Sequence, residues 1–319
     1  HHHPFEKYSQ QDYRNFSTFF SRVGTKNSQE FGLFGRESVV VVRPTGNVKA
    51  RPLDGDALTH PLDLRIPLAN WLTSPKNEYF AKNVVNRYVA YLLGRGLVEP
   101  IDDLRETNPP TNVALMDALA KHFVKSGYDL KQLIRAIMVS RLYQLSSQPT
   151  KSNASDRRFY SHFQVKRIAA EPLLDAIDVA TGVQTKFKNL PLGTRATDLP
   201  DAEYPNYFLS TFGKPKRASV CECERMPDEN LSQALHTLNG DTLVKKIADR
   251  NGRVARLLKA KTPHEDIVKR LYLAALNRPP SQKEQAACRK LLNEGPSPKE
   301  FYEDLLWALL NSKQFLFVR

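Results

Sequence analysis

From Leu62 to the end of the chain, apolar residues return every three to four positions, and the intervals close on residues that start or stop helices. That spacing gives a helix one apolar face and leaves the other to water, so such a chain folds by packing helices together. Phe80, Val84, Val85, Tyr88 and Leu92 make one face, stopped by Gly94 and Gly96. Leu115, Leu119 and Phe123 make the next, closed by Gly127. Asp129, with Gln132 three residues on, predicts a capped helix whose buried face is Leu133, Ile137 and Met138. Leu64–Leu72 reads as a short helix interrupted by Pro67, and residues 156–181 as a long helix kinked at Pro172.

Four further helices are expected in the last hundred residues. Leu231, Ala234, Leu235 and Leu238 form a stripe ending at Gly240. Thr262-Pro263-His264-Glu265, Ser281-Gln282-Lys283-Glu284 and Ser297-Pro298-Lys299-Glu300 each join a capping hydroxyl to a glutamate three residues on. β structure is expected only between Asn27 and His60, where Val39–Val42 is a β-branched run ended by Pro44 and Gly46. The expected fold is mainly α, a multi-helix globular body with a small β-hairpin or strap near residues 38–50. Residues 31–60 read as strap and linker, 61–150 as one helical subdomain, and 151–319 as a second with a loop-rich insertion at 190–225. That insertion holds Pro191, Pro200, Pro205 and Pro215 but also Tyr204, Tyr207, Phe208 and Phe212, too apolar a set for disorder.

Composition narrows the function classes. Of 319 residues, 41% are hydrophobic and 25% charged, which is globular, and no apolar run approaches the 18 residues or so of a membrane span. The net charge is +13, with 47 basic and 34 acidic residues. The densest basic stretch is Lys245, Lys246, Arg250, Arg253, Arg256, Lys259 and Lys261, opposed only by Asp249. No aromatic residue interleaves with it, which argues against single-stranded nucleic acid. An anionic polysaccharide or membrane surface fits this stretch, and so does a solvated helix face.

Two clusters carry chemistry. In extended backbone Cys221 and Cys223 point the same way, so they suit either a small disulfide or half of a tetrahedral metal site. Gly94-Arg95-Gly96, Asp102-Asp103-Leu104-Arg105 and Asn108-Pro109-Pro110 gather carboxylates and guanidinium groups within seventeen residues. Arg95, Asp102, Asp103 and Arg105 are therefore candidate binding residues for a cation or a sugar, or an acid/base pair. The competing reading has Asp102 and Asp103 capping the turn and pairing with Arg87, Arg95 or Arg105. A hydrolase or redox enzyme would use the Asp102/Asp103 region or the Cys221/Cys223 pair. No GxSxG, phosphate-binding loop, GxGxxG or HExxH supports it.

Read in order, Asp63-Leu64-Arg65, Leu68–Leu72, Tyr79-Phe80-Ala81, Val85-Asn86-Arg87, Gly94–Pro100, Asp102–Arg105, Ser140–Gln144, Ala170-Glu171, Thr211–Pro215, Cys221–Arg225, Gln233–His236 and Trp307–Ser312 form one string. It resembles the domain of unknown function found in planctomycete-type proteins beside planctomycete cytochrome c domains. The likeness runs over roughly residues 60–319. In such proteins a second domain precedes this one and ends in a Cys-x-x-Cys-His segment followed by a stretch similar to His3-Pro4-Phe5 through Phe19-Phe20. The resemblance implies that residues 1–30 are the end of that haem-associated domain. His1 would then be a haem c ligand whose attachment cysteines are not in this sequence. The other reading of His1–His3 is a purification tag. The resemblance further implies an extracytoplasmic protein whose partner is a cytochrome c domain or other redox protein, serving electron transfer or docking. The alternative from charge is a surface module for polyanionic glycans.

Overall fold

The computed structural model describes residues 7–28, 37–217, 241–295 and 297–318. His1, the Cys221/Cys223 pair and the Leu231–Leu238 stripe lie outside the described residues. Among the described residues, thirteen α-helices and three two-stranded antiparallel pairs make a mainly α fold with small hairpins. The chain forms two compact units, residues 1–145 with 156–161, and residues 146–155 with 162–319.

In the first unit, helix α1 (Gln10–Ser17) starts on a reciprocal cap. The Ser9 hydroxyl accepts from the Asp12 N–H, and the Asp12 carboxylate accepts from the Ser9 N–H at 2.8 Å. Strand β1 (Val23–Ser28) pairs with β2 (Glu37–Val42), from Val23 opposite Val42 to Ser28 opposite Glu37. The β-branched run thus becomes β2, as its composition dictates, but its partner β1 begins at Val23, ahead of the Asn27–His60 span expected to hold the β structure, because pairing with Val42 carries the ladder that far. A shorter pair, β3 (Lys49–Ala50) and β4 (Leu58–Thr59), follows. Phe19, Ala50, Leu64 and Leu68 form a small core here, with Phe16 and Trp71 packed against it.

Helix α2 (Arg65–Leu72) is not interrupted at Pro67. The proline falls in the first turn, where its missing N–H would have had no helical acceptor. Helix α3 (Glu78–Leu93) packs on α4 (Val113–Lys125) and α5 (Leu130–Met138). Its buried residues are Ala81, Val85, Asn86, Val89, Ala90 and Leu93. The expected face is therefore displaced by about one position, with Phe80, Val84, Tyr88 and Leu92 left on its flanks. Small Ala81 and Ala90 fit where neighbouring helices come close, and the larger side chains do not. Met138 is likewise exposed, not buried. Residues 156–161 are a turn, not helix: the Asp156 carboxylate accepts from the N–H groups of Arg158, Phe159 and Ser161 at 2.8, 2.8 and 2.9 Å.

The second unit is built around α6 (Ala170–Thr181), whose Leu173, Leu174 and Ile177 are fully buried. Pro172 lies in its first turn, so the expected kink is absent and the helix starts fourteen residues later than the pattern implied. Two carboxylates one turn apart on α6 order the loop that follows. Asp175 accepts from Ala196 N–H at 2.6 Å and the Thr197 hydroxyl at 2.9 Å, and Asp178 from Thr185 N–H at 2.6 Å. Short helix α7 (Tyr207–Thr211) stacks Phe208 on Phe212, with ring centroids 4.1 Å apart.

Helices α8 (Asp241–Ile247), α9 (Arg253–Lys259), α10 (His264–Leu276), α11 (Gln282–Glu294), α12 (Pro298–Leu310) and α13 (Lys313–Leu316) complete the unit. The cap expected on α10 is displaced: its N-cap is Pro263, with no capping side chain, not Thr262. Ser281 and Glu284 close their capping box on α11, and Ser297 caps α12 with Pro298 in the first turn. Strand β5 (Lys166–Arg167) pairs with β6 (Phe317–Val318), two-residue strands too short for any periodic signal.

Part of the basic stretch serves the fold. The C-terminal end of α6 exposes carbonyls and the negative end of the helix dipole. Arg253 donates to Ala180 O and Val179 O, each at 2.7 Å. Buried Lys246 donates to Val183 O at 2.9 Å and pairs with Asp178 at 2.8 Å. The Arg256 guanidinium lies so close to Gly182, itself at φ +70°, that a Cβ there would come within 2.2 Å of it.

Candidate ligand-binding groove

Entirely within the first unit lies an open groove of about 1060 Å³. Its walls follow from local sequence. The last turn of α2 supplies Trp71, and a short turn leads to Asn77, whose side chain caps α3 by accepting from the Tyr79 and Phe80 N–H groups. The first turns of α3 then present Glu78, Tyr79, Lys82 and Asn83 to the groove. Gly55 backs the Trp71 ring: a Cβ there would lie 2.7 Å from Pro52 and 3.1 Å from the indole nitrogen.

The opposite wall is the Leu104–Pro110 part of a loop held by one buried side chain. Asn86, fully buried on α3, donates to Val98 O at 2.9 Å and Ile101 O at 2.7 Å and accepts from Val98 N–H at 2.9 Å. Asn108 donates to Glu99 O at 3.1 Å and Asp103 O at 3.0 Å, and Thr111 N–H to Leu97 O at 2.7 Å. Gly96 is required by close approach, because a Cβ would stand 2.6 Å from Val98 O and 2.8 Å from the Asn86 Oδ1.

Each candidate binding residue has a place in this loop, but the four do not converge. Asp102 pairs with Arg87 at 2.7 Å, and Asp103 with Arg105 at 3.0 Å. Arg95 donates to Arg157 O at 3.4 Å, and its own carbonyl accepts from the Tyr160 hydroxyl at 3.1 Å. Of the four, only Arg105 lines the groove. The pairing reading of Asp102 and Asp103 thus describes their observed contacts. Among the described residues no three His, Cys, Asp or Glu side chains gather as a metal cluster.

The groove's charges neutralise one another. Lys82 reaches Glu78 at 2.7 Å and Asp117 at 3.0 Å. Burial pulls the Lys82 ammonium down, but those two hydrogen-bonded carboxylates more than offset it and its pKa is raised. At the rim Lys7 pairs with Asp54 at 3.1 Å and approaches Glu106 at 3.8 Å, and the Tyr8 hydroxyl donates to Asp54 at 2.8 Å. Among the described residues, the Trp71 indole N–H, the Tyr79 hydroxyl, the Asn83 carboxamide and the Lys76 ammonium have no intramolecular hydrogen bond, and all four residues line the groove.

The PSD1 family model, described as a protein of unknown function (DUF1553), matches residues 64–292. The chain belongs to the PSD1 family. That match begins beside α2 and takes in α3, the pinned loop and most of the second unit. No curated protein and no solved structure shows significant similarity to this PSD1 chain. Sequence reasoning missed Trp71, Tyr79, Lys82 and Asn83 as groove residues. The available signal was an aromatic at one helix end and another at the next helix start, joined by the polar turn Thr73–Asn77.

Proposed function

We propose that this PSD1 chain is a ligand-binding module whose binding surface is the groove between α2, α3 and the 104–110 loop. One observation carries the reading: aromatic side chains and four unengaged polar groups, Lys76 among them, line a single concave surface, while the other charges are paired. Sites for bound molecules are concave and mostly apolar, with a few placed polar groups. Trp71 and Trp307 are the only tryptophans, so in a Trp307→Phe protein the emission reports on Trp71 alone. A saturable emission change is expected with at least one class among neutral oligosaccharides, oligogalacturonate, heparin fragments and unstructured peptides, weakened by Asn83→Ala. Unchanged emission with every class overturns the reading.

Family membership and the Pro4–Phe20 stretch support a second reading, an extracytoplasmic module of a c-type cytochrome-associated protein with His1 as haem ligand. Some of that stretch has a structural use as well, since Asp12 closes the α1 cap and Phe19 is buried. Protein purified from its natural host should show a covalently held haem absorption band if this holds; a colourless, unmodified protein overturns it. A third reading, a surface module for polyanionic glycans, is supported by the net charge of +13, with Lys246 and Arg253 of the basic stretch already engaged at α6. No helix among the described residues is long and apolar enough to cross a membrane.

A further inference from the structure

We infer that the groove takes a neutral oligosaccharide segment, an assignment that rests on the groove being the binding surface. Three observations select this class. The volume, about 1060 Å³, lies at or above the upper end of ordinary small-molecule pockets, and the surface is open, which suits a stretch of polymer. Four carboxylates face three cations along the lining, and Lys7 at the rim evens the balance. Beyond the single Lys76 ammonium, a polyanion or polycation would have to displace an existing partner from Lys82, Arg105 or Asp54 before gaining one.

What the groove leaves unengaged is neutral apart from Lys76. Trp71 and Tyr79 bring aromatic rings to the lining, Tyr79 being 45% exposed, and the C–H face of a pyranose is flat and apolar as a ring face is. The Trp71 N–H, Tyr79 hydroxyl and Asn83 carboxamide are donors and acceptors of the kind that pair with sugar hydroxyls. The lining comes from helix termini and loops, and among the described residues it includes no strand to add a peptide by backbone pairing.

The test is calorimetric titration of the intact chain with cellohexaose, xylohexaose and mannohexaose, beside oligogalacturonate, a heparin fragment and an unstructured peptide. At least one neutral hexasaccharide should bind, with a Kd changing less than about twofold between roughly 0.05 and 0.5 M salt. Tyr79→Ala and Asn83→Ala should each weaken it about five- to twentyfold without shifting the melting temperature. Binding and a Trp71 response with a charged probe or peptide, but with none of the neutral sugars, overturns the sugar assignment and leaves the groove as the binding surface. Silence of Trp71 with every probe overturns both.

Discussion

Asn86 shows how one polar residue in a helix core can organise a loop distant in sequence. A buried carboxamide without partners is strongly disfavoured, so its presence in α3 means that its hydrogen bonds are made. It makes three, all to the 96–101 backbone. Asn86→Ala leaves two carbonyls and an N–H unpaired and should destabilise the first unit by about 2–4 kcal/mol, read from denaturant melts. Lys246 plays a comparable part in the second unit, with its side chain 9% exposed beside Asp178. Lys246→Ala leaves the half-buried Asp178 carboxylate to Thr185 alone and should cost about 2–4 kcal/mol. Adding Asp178→Asn should recover part of that loss; a double variant no better than the single would show that the charge pair is not what matters.

At the scale of elements, the helix starts are set by interactions within four residues. Ser9, Asn77, Asp129, Ser281 and Ser297 all cap their helices through side chains, and such local chemistry can be read from sequence. On α11 the Arg278 guanidinium, then the Ser281 N–H and hydroxyl, hold Glu284 down to about 2. Its folded pKa is depressed, so its contribution is present above the ordinary value of 4.5 and lost as pH falls towards about 2. The melting-temperature gap between the wild type and Glu284→Gln should therefore be widest near neutrality and close across that window; a gap independent of pH would contradict it. Gly96→Ala should loosen the loop wall by about 1–3 kcal/mol, seen as faster amide exchange at Val98 and Thr111. The buried face of α3 was less legible than its ends. Which stripe turns inward depends on how closely α4 and α5 approach, and alanines at 81 and 90 permit an approach that hydrophobicity alone does not reveal.

At the scale of the molecule, each unit has its own buried core, with α3 central to one and α6 to the other. Calorimetry should resolve two transitions, with Asn86→Ala lowering one and Lys246→Ala the other; a single transition moved by both would show that they melt together. Part of the net charge of +13 has a structural use, because cations at 246 and 253 terminate α6 and Lys82 and Arg105 in the groove are paired. The sequence by itself determined the mainly α class, the helix starts at Asp129, Ser281 and Ser297, the β-branched strand and the string of motifs that marks the family, because each depends on residues near one another in the chain. Tertiary structure decided which helix faces are buried, where Pro67 and Pro172 fall within their helices, and where the groove lies. Its lining runs from Tyr8 to Asp117, and separations of that size are closed only by packing, to which local periodicity is blind.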